Sequence, residues 1–364
     1  MSKFGTGLLA LAFFALAQMG PLSMARAEES EAYVAFAAGK YQTALELAQK
    51  EAEAGSKEAY TLMGEIYSGG LGVPRDYAKA ANAYAKGADL GDTNAALSLA
   101  LLTAKGLGIR KDLRMAANLF EQAANGGNAA AQYNLALIYL QGRGREANET
   151  KAAEWMTKAA ESGNPQAQYD LGAFYQFGRG LPLDEKKAAE WTSKAADAGL
   201  SAAQVEYATM LFKGQGVEPD QQQAAKLFSL AAQKGNPVAQ NRLARLYANG
   251  IVFPLDLTEA AKWHLIARDA GVSDFRLDVL LTKLTPEQRA AADRFVDAYQ
   301  GATVSEVKPL PAETPAAALD TSQNESSNPG QNPSVATPQG AVPSGATSAQ
   351  QPKPQTTTQP KGNP

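Results

Sequence analysis

Small and apolar residues recur at a fixed spacing through the middle of this 364-residue chain. A glycine returns every 36 residues, at Gly55, Gly91, Gly127, Gly163, Gly199, Gly235 and Gly271. After each of the first six glycines, an alanine follows at four residues, a second glycine at fifteen and an Ala-Ala pair at twenty-five. Because six consecutive copies share these restricted positions without a gap, the pattern predicts an array of six repeats.

Each repeat is predicted to form a pair of helices. In the fourth repeat, Ala167, Leu171 and Phe174 have the spacing of one apolar helical stripe. Gly178 ends this first helix, since glycine adopts left-handed dihedral angles freely. Asp184 then caps a second helix. The other repeats have an Asp or Asn at the same place, at Asp76, Asp112, Asn148, Asp220 and Asp256.

The loop between the two helices contains a further glycine in five repeats, at Gly72, Gly108, Gly144, Gly180 and Gly216. In the sixth repeat Val252 stands at this place. Since valine does not share the conformational freedom of glycine, we expect a different turn in that loop.

The fourth repeat contains the motif Ala-Gln-Tyr-x-Leu-Gly-x-x-Tyr-x-x-Gly-x-Gly, followed by Asp-x-x-x-Ala-Ala-x-Trp-x-x-x-Ala-Ala-x-x-Gly. This motif resembles the Sel1-like repeat, a 36-residue relative of the tetratricopeptide repeat, and the resemblance covers residues 55–271. It implies an all-α fold, a right-handed α-α superhelical solenoid of stacked helix pairs. It also implies a role as an adaptor or regulator that binds other proteins.

Caps are expected at both ends of the array, because a stack of repeats exposes its terminal faces. Residues 28–54 are predicted to form an N-terminal capping helix pair before the repeats at 55–270. Residues 271–300 have lost the alanine pattern, with Phe275 at the usual alanine position, and are predicted to form C-terminal capping helices. Thr285 and Gln288 are predicted to cap the start of the last helix.

The first 27 residues predict a secretory signal peptide. Lys3 precedes an apolar run at residues 8–17, and Ala25-Arg26-Ala27 has the small residues of a cleavage site. The run is shorter than the roughly 20 residues that span a bilayer. We therefore expect cleavage after Ala27, a periplasmic location and no membrane span in the mature chain.

Residues 301–364 contain many Pro, Ser, Thr and Gln residues and no aromatic residue. Such a composition cannot bury enough apolar surface to offset the entropy of ordering, so this tail is predicted to be disordered. It either keeps the protein soluble or acts as a tether.

Composition limits the possible chemistry. The chain has no cysteine and one histidine, which argues against disulfides, thiolate metal sites and histidine-based triads. Its 34 basic residues are balanced by 37 acidic ones, which disfavours nucleic acid as a partner. We therefore predict no catalytic residue, no metal site and no cofactor, and the protein is expected not to be an enzyme.

A binding surface is predicted on the first helices, which line the inner surface in tetratricopeptide-like arrays. Apolar and tyrosine side chains lie off the core stripe in the middle repeats, whereas the equivalent end positions are polar, as at Glu65 and Arg245. Exposed apolar patches usually mark contacts, although packing between neighbouring repeats would explain the same residues. The candidates are Leu97, Leu101, Tyr133, Leu137, Leu140, Tyr169, Phe177 and Phe212.

The sequence thus favours an exported protein that binds a protein or peptide partner in the bacterial envelope. Two alternatives stay open. The first is an envelope hydrolase acting on cell-wall material, which needs a pair of carboxylates brought together by folding. The second is a structural tether that makes its contacts through the proline-rich tail. The identity of the partner and the oligomeric state do not follow from the sequence.

Overall fold

The structure, a computed structural model, describes residues 30–301, without the side chains of the last two. The predicted signal peptide at 1–27 and the predicted tail beyond Gly301 lie outside the described residues. Within 30–301 the chain forms sixteen α-helices and no β-strand. The predicted all-α repeat solenoid is thereby confirmed.

Fourteen of these helices form seven consecutive pairs. The first pair consists of α1 (Glu31–Ala37) and α2 (Tyr41–Glu53). The six repeats follow as α3 (Lys57–Gly69), α4 (Tyr77–Asp89), α5 (Thr93–Lys105), α6 (Leu113–Asn125), α7 (Ala129–Gln141), α8 (Glu149–Glu161), α9 (Pro165–Phe177), α10 (Glu185–Asp197), α11 (Ser201–Lys213), α12 (Gln221–Gln233), α13 (Pro237–Asn249) and α14 (Leu257–Asp269). We call the odd-numbered helices from α3 to α13 the first helices, and their even-numbered partners the second helices. Consecutive helices pack on one another, and α3 also contacts α5 directly.

The second helices begin where the sequence predicts. In all six, the side chain of the predicted Asp or Asn accepts a hydrogen bond from a backbone N–H of the first turn. For example, Asp184 accepts from the Lys187 N–H at 3.0 Å. These bonds satisfy amides that have no partner inside the helix. Among the first helices, only α11 starts without a side-chain cap, because Leu200 precedes it.

The loop of the sixth repeat corrects the expectation from the sequence. Val252 has a φ of 66°, nearly the 64° of its equivalent Gly180, so the prediction of a different turn is wrong. At Gly180 an added Cβ would overlap the Glu149 carbonyl at the start of α8, which requires glycine there. Val252 is exposed instead. Stacking of the sixth helix pair on the fifth fixes the loop path, and the valine tolerates the left-handed conformation.

The core combines many small residues with a few large ones. Both residues of every Ala-Ala pair are buried, and Leu62, Leu135, Leu171 and Leu243 fill the space between the helices. Small side chains let neighbouring helices approach closely, and the leucines restore close packing. The alanines of the repeat pattern therefore lie in the core.

The C-terminal end departs from the repeat. Asp274 caps α15 (Phe275–Leu281) two residues beyond the place that the 36-residue spacing gives for a cap. Phe275 therefore occupies the first helical position, not the buried alanine position, and is 80% exposed. The buried His264 of α14 holds this helix in place, since its Nε2 atom lies 2.8 Å from Oδ1 of Asp278.

The last helix, α16 (Pro286–Gly301), packs on α14. Its start has the predicted capping pair: the Thr285 N–H donates to Oε1 of Gln288, and the Gln288 N–H donates to Oγ1 of Thr285. Trp263 of α14 is buried against Phe295 of α16, with ring centroids 5.8 Å apart. The helix thus covers an aromatic side chain at the end of the stack.

Candidate partner-binding surface on the first helices

All eight residues predicted to contact a partner lie on first helices. They are Leu97 and Leu101 on α5, Tyr133, Leu137 and Leu140 on α7, Tyr169 and Phe177 on α9, and Phe212 on α11. We call these eight residues the central strip. Leu97, Tyr133 and Tyr169 occupy the same position of successive repeats, and so do Leu101 and Leu137. The strip therefore follows one side of four neighbouring helices.

The central strip is partly covered by the protein itself. Seven of its members are half-buried and pack against buried clusters of the core. Phe177 differs, because 63% of its surface is exposed at the end of α9. The seven half-buried residues thus both fill space between repeats and present apolar surface outward, so the prediction of partner contact stays a prediction.

A carboxylate that sequence reasoning missed lies beside the strip. The Tyr133 hydroxyl on α7 donates to Oδ2 of Asp170 on α9 at 2.9 Å, and Gln166 Nε2 donates to Oδ1 of Asp170 at 3.1 Å. The first bond links two neighbouring repeats. The sequence did contain a hint of this carboxylate, because Asp170 directly follows Tyr169, a member of the central strip.

The surroundings of Asp170 are poorly solvated and negatively charged. Burial raises the pKa of Asp170, although the hydrogen bonds from Tyr133 and Gln166 oppose this effect. Burial, followed by the charges of Glu206 and Asp170, raises the pKa of the Tyr169 hydroxyl. The two carboxylates therefore lie within electrostatic range of the same tyrosine oxygen.

A second carboxyl group with a perturbed pKa lies on the first repeat. Burial, followed by the neighbouring Asp92 carboxylate, raises the pKa of Glu65 on α3 to about 7. Tyr33 and Tyr84 lie close enough that the charge of Glu65 raises the pKa of each hydroxyl, in addition to the larger effect of burial. Asp92 itself caps α5, with Oδ1 accepting from the Asn94 and Ala95 N–H groups.

Glu65 and Asp170 do not form an acid/base pair with each other. Glu65 and Asp170 belong to α3 and α9, and α5 and α7 lie between these helices in the stack. Among the described residues, no group of three His, Asp or Glu side chains is arranged to hold a metal ion. None of the helices at 30–301 is both long and apolar enough to cross a membrane.

Two surface cavities lie away from the strip. One, of about 280 Å³, is lined by residues of α1 and the start of α2, including Val34 and Thr43. The other, of about 430 Å³, is lined by Glu121, Tyr139 and the loop after α7. In that loop Arg145 forms an ion pair with Glu121 at 2.6 Å, so these two charged groups of the lining bind each other.

Comparison with known sequences and structures agrees with the repeat pattern. The Sel1 repeat family model matches six consecutive segments, at residues 57–92, 93–128, 129–164, 165–200, 201–236 and 237–272. These segments begin at the first helices, as in the structure. No curated protein sequence matches the chain significantly.

Several solved structures resemble the chain, among them the following two. One is a protective antigen present in uropathogenic Escherichia coli strains, which displays an SLR fold; it is 30% identical, with a TM-score of 0.65, over 77% of this chain and 64% of that chain. The other is a Sel1 repeat protein from Oxalobacter formigenes, 27% identical with a TM-score of 0.56, over 67% of this chain and 97% of that chain. Sel1 repeats generally mediate protein–protein interactions, and the proteins that contain them are typically non-catalytic scaffolds. Six matched repeats, each present as a helix pair, place this chain in the Sel1 repeat family.

Proposed function

We propose that this protein is an exported adaptor or regulator of the bacterial envelope, which holds a polypeptide partner against the central strip. The observation that carries the proposal is the strip itself, since apolar and tyrosine side chains occupy equivalent, partly exposed positions on α5, α7, α9 and α11. Contiguous apolar surface on a soluble protein usually marks a contact site. Tyrosines suit such sites because they offer a large apolar ring and a polar end.

The periplasm is the proposed compartment because residues 1–27 have the pattern of a cleavable signal peptide. The proposal requires no chemical step. Affinity would come from a few side chains of the partner that pack between the residues of the central strip. Phe177 is the strip residue most available for contact, as its ring is largely exposed beside Arg179 and Gly178.

Site-specific photo-crosslinking in the cell tests this function. A photoreactive phenylalanine analogue replaces Phe177, and in a matched control it replaces Leu183, which is equally exposed at 63% but lies in the loop before α10. We expect discrete adducts from position 177 and none from position 183. Phe177→Ser should then reduce the amount of partner that co-purifies, whereas Leu183→Ser should not. Equal crosslinking from both positions would contradict a specific surface.

The paired tyrosines give a second test. The double variant Tyr133→Ala/Tyr169→Ala should abolish partner capture, but it also removes the Tyr133 hydrogen bond to Asp170 and half-buried packing. We therefore add the double Phe variant, which keeps the rings. Retained stability with reduced capture in the Phe variant would indicate that the hydroxyl groups face the partner. Unfolding of the Ala variant together with full capture by the Phe variant would assign both tyrosines to the core.

Deletion from residue 302 onward distinguishes the tether. Partner capture should survive this deletion if the strip binds, and it should disappear if the tail makes the contacts. We do not propose the hydrolase alternative. It needs two carboxyl groups free to act together, whereas Glu65 and Asp170 are separated by two repeats and Asp92 is engaged in capping α5.

A further inference from the structure

The half-buried carboxylates of the first helices lack positively charged partners. Asp170 is hydrogen-bonded only by the neutral side chains of Tyr133 and Gln166. Glu65 and Glu206 are half-buried, and their carboxyl groups form no hydrogen bond or ion pair with any described residue. We call Glu65, Asp170 and Glu206 the first-helix carboxylates.

Carboxylates elsewhere in the protein are treated differently. Glu121 pairs with Arg145 at 2.6 Å, and Glu149 pairs with Arg179 at 2.9 Å, although these groups are more exposed to water. A charge that is partly removed from water without a counterion destabilises the folded state. The protein therefore leaves three half-buried carboxylates of the first helices without a cation, two of them on helices of the central strip.

The charge carried by the first helices changes sign along the stack. At the positions equivalent to Glu65 and to Asp170, the first five repeats contain no Lys or Arg. The sixth repeat reverses the sign with Arg242 and Arg245, and the latter is already paired with Asp274. The negatively charged part of the first-helix surface thus ends at the fifth repeat, where the central strip also ends. A ligand that complements repeats one to five would carry positive charge.

We propose that the first-helix face of repeats one to five binds an extended polypeptide segment in which Lys or Arg side chains alternate with apolar ones. The basic side chains approach the first-helix carboxylates, and the apolar side chains lie on Leu101, Leu137 and Phe177. This inference rests on the proposed function and specifies the chemistry of the partner. Opposite charge supplies a counterion to Asp170 and Glu206, and it sets the register of the segment along the strip.

Three short fluorescent peptides test the proposal. They share the same Leu and Tyr positions and carry Lys, Gln or Glu at all other positions. Fluorescence anisotropy with the purified protein should show the Lys peptide binding about tenfold more tightly than the Gln peptide, with the Glu peptide weakest. The preference should decrease as salt is added, because partly exposed charges are screened.

Matched variants locate the effect. Asp170→Asn/Glu206→Gln removes two charges with little change in shape and should reduce the preference for Lys over Gln to about twofold or less. Glu154→Gln/Glu190→Gln makes the same change in charge at exposed positions of α8 and α10 and should keep the preference. Far-UV circular dichroism verifies that both double variants are folded.

The possible failures are distinguishable. If the Lys and Gln peptides bind equally, and Phe177→Ser weakens both, the proposed function stands and the basic partner is refuted. A Lys preference that survives in Asp170→Asn/Glu206→Gln also refutes it, because the charge would then act elsewhere. If none of the peptides binds and position 177 gives no crosslink in the cell, the proposed function fails and this inference fails with it.

Discussion

The pKa of Glu65 is raised to about 7 because the side chain is half-buried on α3 and faces the carboxylate of Asp92. The other titratable groups that interact electrostatically in this region are Tyr33, Glu58 and Tyr84. None of them supplies a positive charge. At neutral pH, folding therefore holds a carboxylate where its charge is disfavoured. The substitution Glu65→Gln keeps the shape of the side chain and removes the charge, and we expect it to stabilise the protein above neutral pH.

The sign and size of the effect follow from proton binding. The folded protein retains the Glu65 proton up to about pH 7, whereas the unfolded chain releases it near the ordinary value of 4.5. Between these values the folded state binds more protons, so the free energy of unfolding falls as the pH rises. The difference between the two pKa values corresponds to about 3 kcal/mol. Glu65→Gln should remove this loss of stability, so its advantage is small in acid and full above pH ~7.

Urea unfolding followed by far-UV circular dichroism at pH ~5 and pH ~8 measures the effect. The matched control is Glu53→Gln, which removes an exposed carboxylate from α2 and should change neither midpoint. Asp92→Asn keeps a capping side chain of the kind used at Asn164 and lowers the pKa of Glu65, so the loss of stability should be smaller and complete at a lower pH. A gain for Glu65→Gln that is equal at both pH values, or absent at the higher one, would refute the assignment of the raised pKa.

Three further substitutions test the packing, each by thermal or urea unfolding. Val252→Gly should stabilise the protein by about 0.5–1 kcal/mol, because glycine adopts the left-handed conformation without strain; a loss of stability would show that the Val252 side chain makes a compensating contact. Gly64→Ala should cost about 1–3 kcal/mol despite the better helix propensity of alanine, since the new methyl group overlaps the Tyr84 ring, and a neutral result would mean that the ring moves aside freely. Asp278→Ala should cost about 1–3 kcal/mol because it leaves Nε2 of the buried His264 without a partner; an unchanged midpoint would contradict the proposed link between α14 and α15.

The local features of the fold could be predicted because they depend on residues close in sequence. Asp184 and its equivalents cap helices two or three residues away, so their role follows from spacing alone. Thr285 and Gln288 show the same locality at the start of α16. Val252 is the instructive failure. Its intrinsic preference argued for a different turn, but the loop must join two helices whose positions are set by stacking on the preceding repeat.

The candidate surface could be predicted only in part. Equivalent positions 36 residues apart identified the apolar members of the strip, since repetition places them on the same side of successive helices. The sequence did not identify the first-helix carboxylates as part of this surface, because an acidic residue on a helix is normally solvated. Whether Asp170 is half-buried depends on Tyr133, which belongs to the preceding repeat and donates a hydrogen bond across the interface.

The sequence by itself determined the repeat length, the helix pairs, their caps and the small residues of the core, because each of these follows from local spacing and steric demand. Only the tertiary structure decided which polar groups lose contact with water, which charges find partners, and which apolar side chains stay exposed. These properties depend on the distance between residues of different repeats, and that distance is set by how the helix pairs stack. The unpaired state of Glu65 and Glu206, and the exposure of Phe177 and Phe275, therefore became visible only in the folded chain.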